Sequence, residues 1–302
     1  MAVLAEIDGP DVLTDVMASL RLRGRLFCRS ELSAPWSLAL PASELAHFHA
    51  IERGGGWVRL DGEERSHPLA AGDLIVLPHG RGYTLSDGPK AAAVPLASLV
   101  QEPGSGVCAV LRHGGDGPVT SMICGSFHFE GREGHPLLSL LPPLIHIPGD
   151  QGRSAEWLDL TLRFLAQEAR HPRPGSETLI TRLTDILFVQ VVRSWIEGQP
   201  EGGGGWLGAL RDRQMGAALG MIHREPQRTW SVASLASAVG MSRSAFAARF
   251  TTLVGEAPLA YLTRWRMHLA ADLLRGKGLT LSEVAGRVGY ESEAAFSKAF
   301  KR

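Results

Sequence analysis

The 302 residues predict an α+β multidomain chain, with an N-terminal β-barrel and helical hairpin followed by an all-α C-terminal domain. Three observations predict it. The apolar pattern changes from short strand-like runs to helical spacing shortly after residue 150. Four consecutive glycines, Gly202 to Gly205, interrupt the chain. Beyond them lies an internal repeat, the mark of one local unit used twice.

Each element follows in order. Leu13 to Leu22 reads as a short helix. Residues 20–130 hold short apolar runs, such as Leu74, Ile75, Val76 and Leu77, divided by turn signals at Gly54 to Gly56, Asp61-Gly62, Gly72-Asp73 and Asp87-Gly88. Many short strands at close spacing predict an antiparallel barrel or sandwich. Residues 153–197 then repeat at helical spacing. Leu158, Leu162 and Leu165 mark one helix, with Ser154 as N-cap, and Ile180, Leu183, Leu187, Val191 and Trp195 mark a second. Pro172 and Pro174-Gly175 break the pattern between them. This hairpin is expected either to pack on the barrel or to pair two copies of the chain. The domain boundaries are therefore 1–150 for the barrel, 151–200 for the hairpin, 201–205 for a flexible linker and 206–302 for the helical domain.

Charge sharpens the division. The formal net charge is zero, from 31 basic and 31 acidic residues. Residues 201–302 hold 14 of the basic and 8 of the acidic ones, leaving 17 and 23 for residues 1–200. The zero is a cancellation between an acidic module and a basic one suited to a polyanion. No apolar run approaches the roughly 20 residues of a membrane span. The first residues lack a basic segment followed by an apolar stretch, so no signal peptide is expected. Three cysteines, Cys28, Cys108 and Cys124, do not make a disulfide scaffold.

The repeat carries the chemistry. Leu235-Ala236, Val239-Gly240, Phe246 and Phe250 match Val284-Ala285, Val288-Gly289, Phe296 and Phe300. In each copy a short helix ends at a glycine suited to a left-handed turn. A serine, Ser242 or Ser292, then caps a second helix that buries its phenylalanines. This is a helix-turn-helix, whose second helix enters the DNA major groove. Pro258 opens a long helix between the copies, ended by Gly276. The outward residues are Ser242, Arg243, Ser244 and Arg249 in the first unit and Ser292, Glu293, Ser297 and Lys298 in the second. Arg243 is the leading candidate for a base contact, since arginine takes guanine O6 and N7 bidentately. Arg264, Arg266, Lys298 and Arg302 are expected on phosphates, which position the protein without reading sequence.

These motifs resemble the AraC-type transcription regulators. They include Val239 to Phe250, Pro258 to Met267, Ala270 to Leu274 and Val284 to Tyr290. The resemblance implies a bacterial, cytoplasmic and nucleoid-associated regulator, most often an activator, that binds promoter DNA and engages RNA polymerase. Family members usually continue for a short tail after the position of Phe300. The stop at Lys301-Arg302 thus implies a shortened C-terminus and a weaker second unit.

The first half resembles a cupin-like β-barrel. It carries His47-Phe48-His49 and then Gly72, five residues, Pro78, His79 and Gly80. Cys124-Gly125 and His135 to Pro143 further resemble the cupin-type sensor of some AraC-type regulators. Metal-bearing cupins place a third histidine three residues after the last glycine, where this chain has Tyr83. His47, His49, His79 and Tyr83 are the candidate sensor residues for a small-molecule effector, and His47, His49 and His79 are the candidate ligands for a metal ion in the barrel. Cys28, Cys108 and Cys124 are the candidate thiols for an oxidant. Cys124 itself, in a strand-like run, reads as a buried small hydrophobe, the commoner fate of a free cysteine. The competing functions are a cupin-type metalloenzyme with an accessory helical domain and a module whose C-terminal half binds protein.

Overall fold

A computed structural model describes residues 12–88, 93–99, 109–130, 137–138, 141–149, 152–171, 173–199, 208–210, 212–276 and 278–301. The glycine linker at 201–205, Cys108 and Arg302 lie outside the described residues, as do the side chains of Cys28 and Ser154. The chain forms two bodies. The first comprises residues 22–130 and 141–197, and the second residues 1–21, 131–140 and 198–302.

The first body is built on eleven strands. These are β1 (Arg21–Ser33), β2 (Ser37–Leu40), β3 (Ala46–Arg53), β4 (Gly55–Leu60), β5 (His67–Ala70), β6 (Leu74–Leu77), β7 (Tyr83–Ser86), β8 (Val94–Pro95), β9 (Ala109–Gly114), β10 (Val119–Glu130) and β11 (Ile145–Ile147). One six-stranded sheet has the order β11-β6-β3-β10-β1-β9, and a five-stranded sheet has the order β5-β4-β7-β2-β8. The antiparallel expectation needs correcting at two places, because β1 pairs with β9 and β2 with β8 in parallel. A parallel partner cannot follow by a tight hairpin. In both cases it returns after a long excursion through the other strands.

Strand alternation assigns each side chain a face. His49 stands opposite both Ile75 and Cys124 in the register, so these three share the inner face. Leu32, Trp36, Ile51, Val58, Ile75, Tyr83 and Leu85 are buried there. Phe48, Ala50 and Ile123 turn to the outer face. Two helices cover that side, α2 (Gly152–Arg170) and α3 (Ser176–Glu197). Phe188 of α3 meets Phe127 and Phe129 with ring centroids 5.0 and 5.1 Å away. Each fully buried Phe contributes about 1.5–3 kcal/mol. Gly24 lets α3 approach β1, since a Cβ there would lie 2.4 Å from Thr184. The Gly24 amide donates to Asp185 Oδ1 at 2.9 Å across the same approach.

The second body is helical. It contains α1 (Val12–Ser19), α4 (Arg213–Arg224), α5 (Val232–Ala238), α6 (Arg243–Val254), α7 (Pro258–Arg275), α8 (Leu281–Arg287) and α9 (Glu293–Phe300). The short helix read over Leu13 to Leu22 forms as α1 and groups with this body. Val12 and Val16 are buried, and α1 packs on α4. Capping follows the sequence signals. Ser231 and Ser234 form a capping box before α5, and Thr280 and Glu283 form another before α8. Gly240 and Gly289 adopt φ of +69° and +84°, the left-handed conformation the motif needs. α7 opens on Pro258 and carries both units.

Candidate functional site

The second helix of each unit, α6 and α9, presents a polar first turn. Ser242 Oγ accepts from the Ala245 amide at 3.3 Å, and Ser292 Oγ accepts from the Ala295 amide at 3.2 Å. Both expected serines therefore cap their helices. Ser244 sits beside Ser242, with 3.5 Å between the two hydroxyls. Arg243 is exposed and enters no ion pair among the described residues. Glu293 and Lys298 are exposed on α9, and Ser297 is half-buried.

Three other expected contact residues are engaged by neighbouring groups of the body. Arg249 pairs with Asp212, which caps α4 by accepting from the amides of Gln214 and Met215 at 3.0 Å each. Burial alone would raise the Asp212 pKa. The Met215 amide, Arg249 and the Gln214 amide outweigh it and hold the carboxyl below its usual value. Arg264 Nε donates to Glu256 Oε1 at 2.9 Å. Arg266 donates to the Pro226 and Arg228 carbonyls at 2.6 and 2.9 Å and lies 5.6 Å from the centre of the Tyr290 ring. These arginines clamp α4, α6 and α7 in place. Arg228, which sequence reasoning passed over, sits 4.2 Å from the centre of the Trp230 ring, more than half exposed. Its only sequence signal is its position just before the first unit.

The barrel interior brings together residues that lie far apart in sequence. His49 Nε2 is 2.6 Å from Tyr83 Oη, and His49 Nδ1 is 3.2 Å from Cys124 Sγ. Tyr83 Oη also reaches His47 Nδ1 at 3.1 Å, and Cys124 Sγ lies 3.6 Å from Ser30 Oγ. Ser43 Oγ stands 3.5 Å from His47 Nε2. The result is a polar chain running from exposed Ser43 through half-buried His47 to buried Tyr83, His49, Cys124 and Ser30. Burial, reinforced by His47, pushes the His49 pKa down to about 3, and burial lowers His47 as well. His49 is therefore neutral at physiological pH, with a proton on one nitrogen only. If Tyr83 donates to Nε2, then Nδ1 donates to the Cys124 sulfur; in the other tautomer the thiol donates to Nδ1. The serines were not legible in the sequence, because only the register of β1 against β10 brings Ser30 to Cys124.

His79 takes no part in this chain. Its Nε2 is 2.7 Å from the Leu141 carbonyl oxygen. Among the described residues no three His, Cys, Asp or Glu side chains converge as a metal site. Tyr83 stands at the position of the third cupin histidine, and its hydroxyl occupies a nitrogen of both His47 and His49. This donor set does not fit a resident metal ion.

A β-barrel body and a body of two capped helix-turn-helix units on one bridging helix define a DNA-binding regulator with an N-terminal barrel domain. Comparison with known proteins agrees. The cupin family pattern matches residues 11–197, and the helix-turn-helix domain pattern matches residues 235–302. An AraC-like transcription regulator of Streptomyces lividans is 38% identical over 97% of this chain and 94% of its own. One of Streptomyces antibioticus is 35% identical over 97% and 95%, and the regulator AlkR of Acinetobacter baylyi is 32% identical over 97% and 95%. The chain belongs to the AraC-type DNA-binding transcription regulators and carries a cupin-like N-terminal domain. No helix among the described residues is long and apolar enough to cross a membrane.

Proposed function

We propose that the chain is a promoter-binding activator rather than an enzyme, and that an effector in the first body controls it. Arg243 carries this reading. It is exposed and enters no ion pair among the described residues on the first turn of α6, whereas Arg249, Arg264 and Arg266 are engaged by other groups of the same body. Arg243 reads a base edge, with Ser244 beside it, while Ser242 and Ser292 hold the helix ends. Lys298 serves phosphate, and Glu293 reads cytosine N4 at the second unit. RNA polymerase is the partner the family implies.

Two copies of the chain pair through the hairpin. Leu160 and Phe164 on α2 and Leu179 and Ile186 on α3 are each about half exposed. Large apolar groups at i and i+4 or i+7 mark a helix face suited to a partner. Electrophoretic shifts with upstream DNA test the reading. Binding should weaken steeply as salt rises, because counterions are released on association. A flat salt response would overturn it.

The 3.2 Å contact between His49 Nδ1 and Cys124 Sγ favours a second input, an oxidant acting on the Cys124 thiol. A neutral imidazole beside the sulfur fixes the orientation of the thiol through this contact. Cys124→Ser should abolish any oxidant response of a reporter. An unchanged response would exclude this thiol.

A further inference from the structure

We propose that the cavity between the outer face of the six-stranded sheet and α2 binds an uncharged, largely apolar small molecule. The proposal rests on the reading of the first body as a sensor and names the chemistry of its effector.

The cavity has a volume of about 690 Å³. Ligand pockets typically occupy about 300–1,000 Å³, while well-packed interiors leave few voids larger than a water molecule. Its origin is visible in side-chain size. Where α3 crosses, the sheet offers Phe127 and Phe129, and Phe188 fills the space between. Where α2 crosses, the sheet offers Ala50 and Ile123, and the helix offers Leu158, Leu162 and Ala166. Gly72 and Gly149 line it too and touch each other, since a Cβ on Gly149 would lie 2.6 Å from the Gly72 carbonyl carbon. Asp73 fixes that junction, its Oδ1 accepting from the Gly149 amide at 3.0 Å. The space is thus bounded by held backbone and mostly aliphatic side chains, with no Phe, Tyr or Trp among the described residues that line it.

The charges at the rim decide the ligand class. Glu52 is bound by Arg29 at 2.6 Å, and Arg163 by Asp159 at 2.8 Å. An ionic ligand would lose its hydration and find each opposite charge already paired. Gln167 and His171 also line the cavity and offer hydrogen-bonding groups. The fitting molecule has an apolar body and one hydroxyl or carbonyl. Leu160 and Phe164 lie on this same helix, in the face proposed to pair two copies. A molecule that shifts α2 on the sheet therefore acts directly on the pairing surface.

The test titrates the full-length protein with 2-naphthol and its anionic counterpart 2-naphthoate, followed by ligand fluorescence. Saturable binding of 2-naphthol is expected, at least about tenfold tighter than 2-naphthoate. Ala166→Phe should fill the cavity and weaken 2-naphthol by at least about tenfold, while Val110→Ala on the exposed side of β9 leaves it unchanged. If Ala166→Phe no longer shifts DNA, Ala50→Leu replaces it as the filling variant. Absence of saturable 2-naphthol binding, equal binding of 2-naphthoate, or indifference to a folded filling variant would overturn the proposal. If 2-naphthol binds as expected but leaves DNA affinity and pairing untouched, the site stands and the effector-controlled reading falls.

Discussion

The two helix-turn-helix units share a motif and differ in how it is closed. In the first, Phe246 and Phe250 are both fully buried, and Phe250 meets Tyr261 of α7 with ring centroids 5.9 Å apart. In the second, Phe296 is buried among Ala270, Val284, Ala285 and Val288, yet Phe300 is 42% exposed. The matching phenylalanines thus have unequal weight. One bridging helix serves both cores, and its larger aromatics, Tyr261 and Trp265, lie at the first. The reading helices differ too. α6 begins with Arg243 and α9 with Glu293, so one offers the groove a cation and the other an anion. The helix macrodipole favours an acid at an N-terminus, which gives Glu293 a structural use whether or not it meets DNA. A repeat preserves the scaffold, while each copy's packing and end charge vary on their own.

The largest expected effect tests the packing difference. Phe250→Ala should cost the second body about 3–5 kcal/mol, and Phe300→Ala less than about 1.5 kcal/mol, measured by urea denaturation. Equal losses would break the comparison. The two turn glycines come next. Gly240→Ala should cost about 1–2 kcal/mol for its left-handed backbone, with open space around it. Gly289→Ala should cost about 2–3 kcal/mol, because its Cβ would also meet the Gln227 backbone at 2.7 Å.

Acid should loosen the first unit selectively. His223 of α4 stacks on Trp265 at 4.0 Å and is 2.6 Å from the Tyr261 hydroxyl. Burial, then Arg264 and His268, holds its pKa down at about 3, against 6.5 when exposed. The unfolded chain takes up this proton as pH falls through 6.5, and the folded chain does not until about pH 3. Stability therefore falls with acidification across that window, by roughly 2 kcal/mol at pH 5. Hydrogen exchange at pH 7 and pH 5 should show faster opening around α4 and α6 and little change around α8 and α9. Uniform change would dissolve the distinction.

The smallest effect concerns reading. Arg243→Ala should weaken binding to the cognate site by about 1–2 kcal/mol and relax discrimination at one base pair. Glu293→Gln keeps a side-chain oxygen that can accept from cytosine N4 and should change affinity by less than about threefold. A larger loss at Glu293 than at Arg243 would reverse the roles assigned to the two units.

Much of this architecture was legible in the sequence. Gly240, Gly289, Ser242 and Ser292 announced the turns and caps because those conformations demand particular residue types. Pro258 announced the start of α7 for the same reason. The site was less legible. Arg249, Arg264 and Arg266 look as free as Arg243 along the chain, and only packing reveals that Asp212, Glu256 and the carbonyls of Pro226 and Arg228 engage them. His79 follows the barrel motif, yet hydrogen-bonds to Leu141 instead of joining His47 and His49.

By itself the sequence determined the two-part organisation, the repeated unit with its caps and turns, and the absence of a third histidine at Tyr83. These are local properties, settled by backbone conformation and by residue type at a known spacing. Tertiary structure alone decided that α1 joins the helical body, that β1 and β2 find parallel partners, and that Cys124 reaches His49. It alone decided that Ala50, Ile123 and Ala166 face one another beneath α2 beside a cavity, while Phe127, Phe129 and Phe188 pack together beneath α3. Strand register and packing volume join residues distant in sequence, and no local pattern of residue types records which will meet.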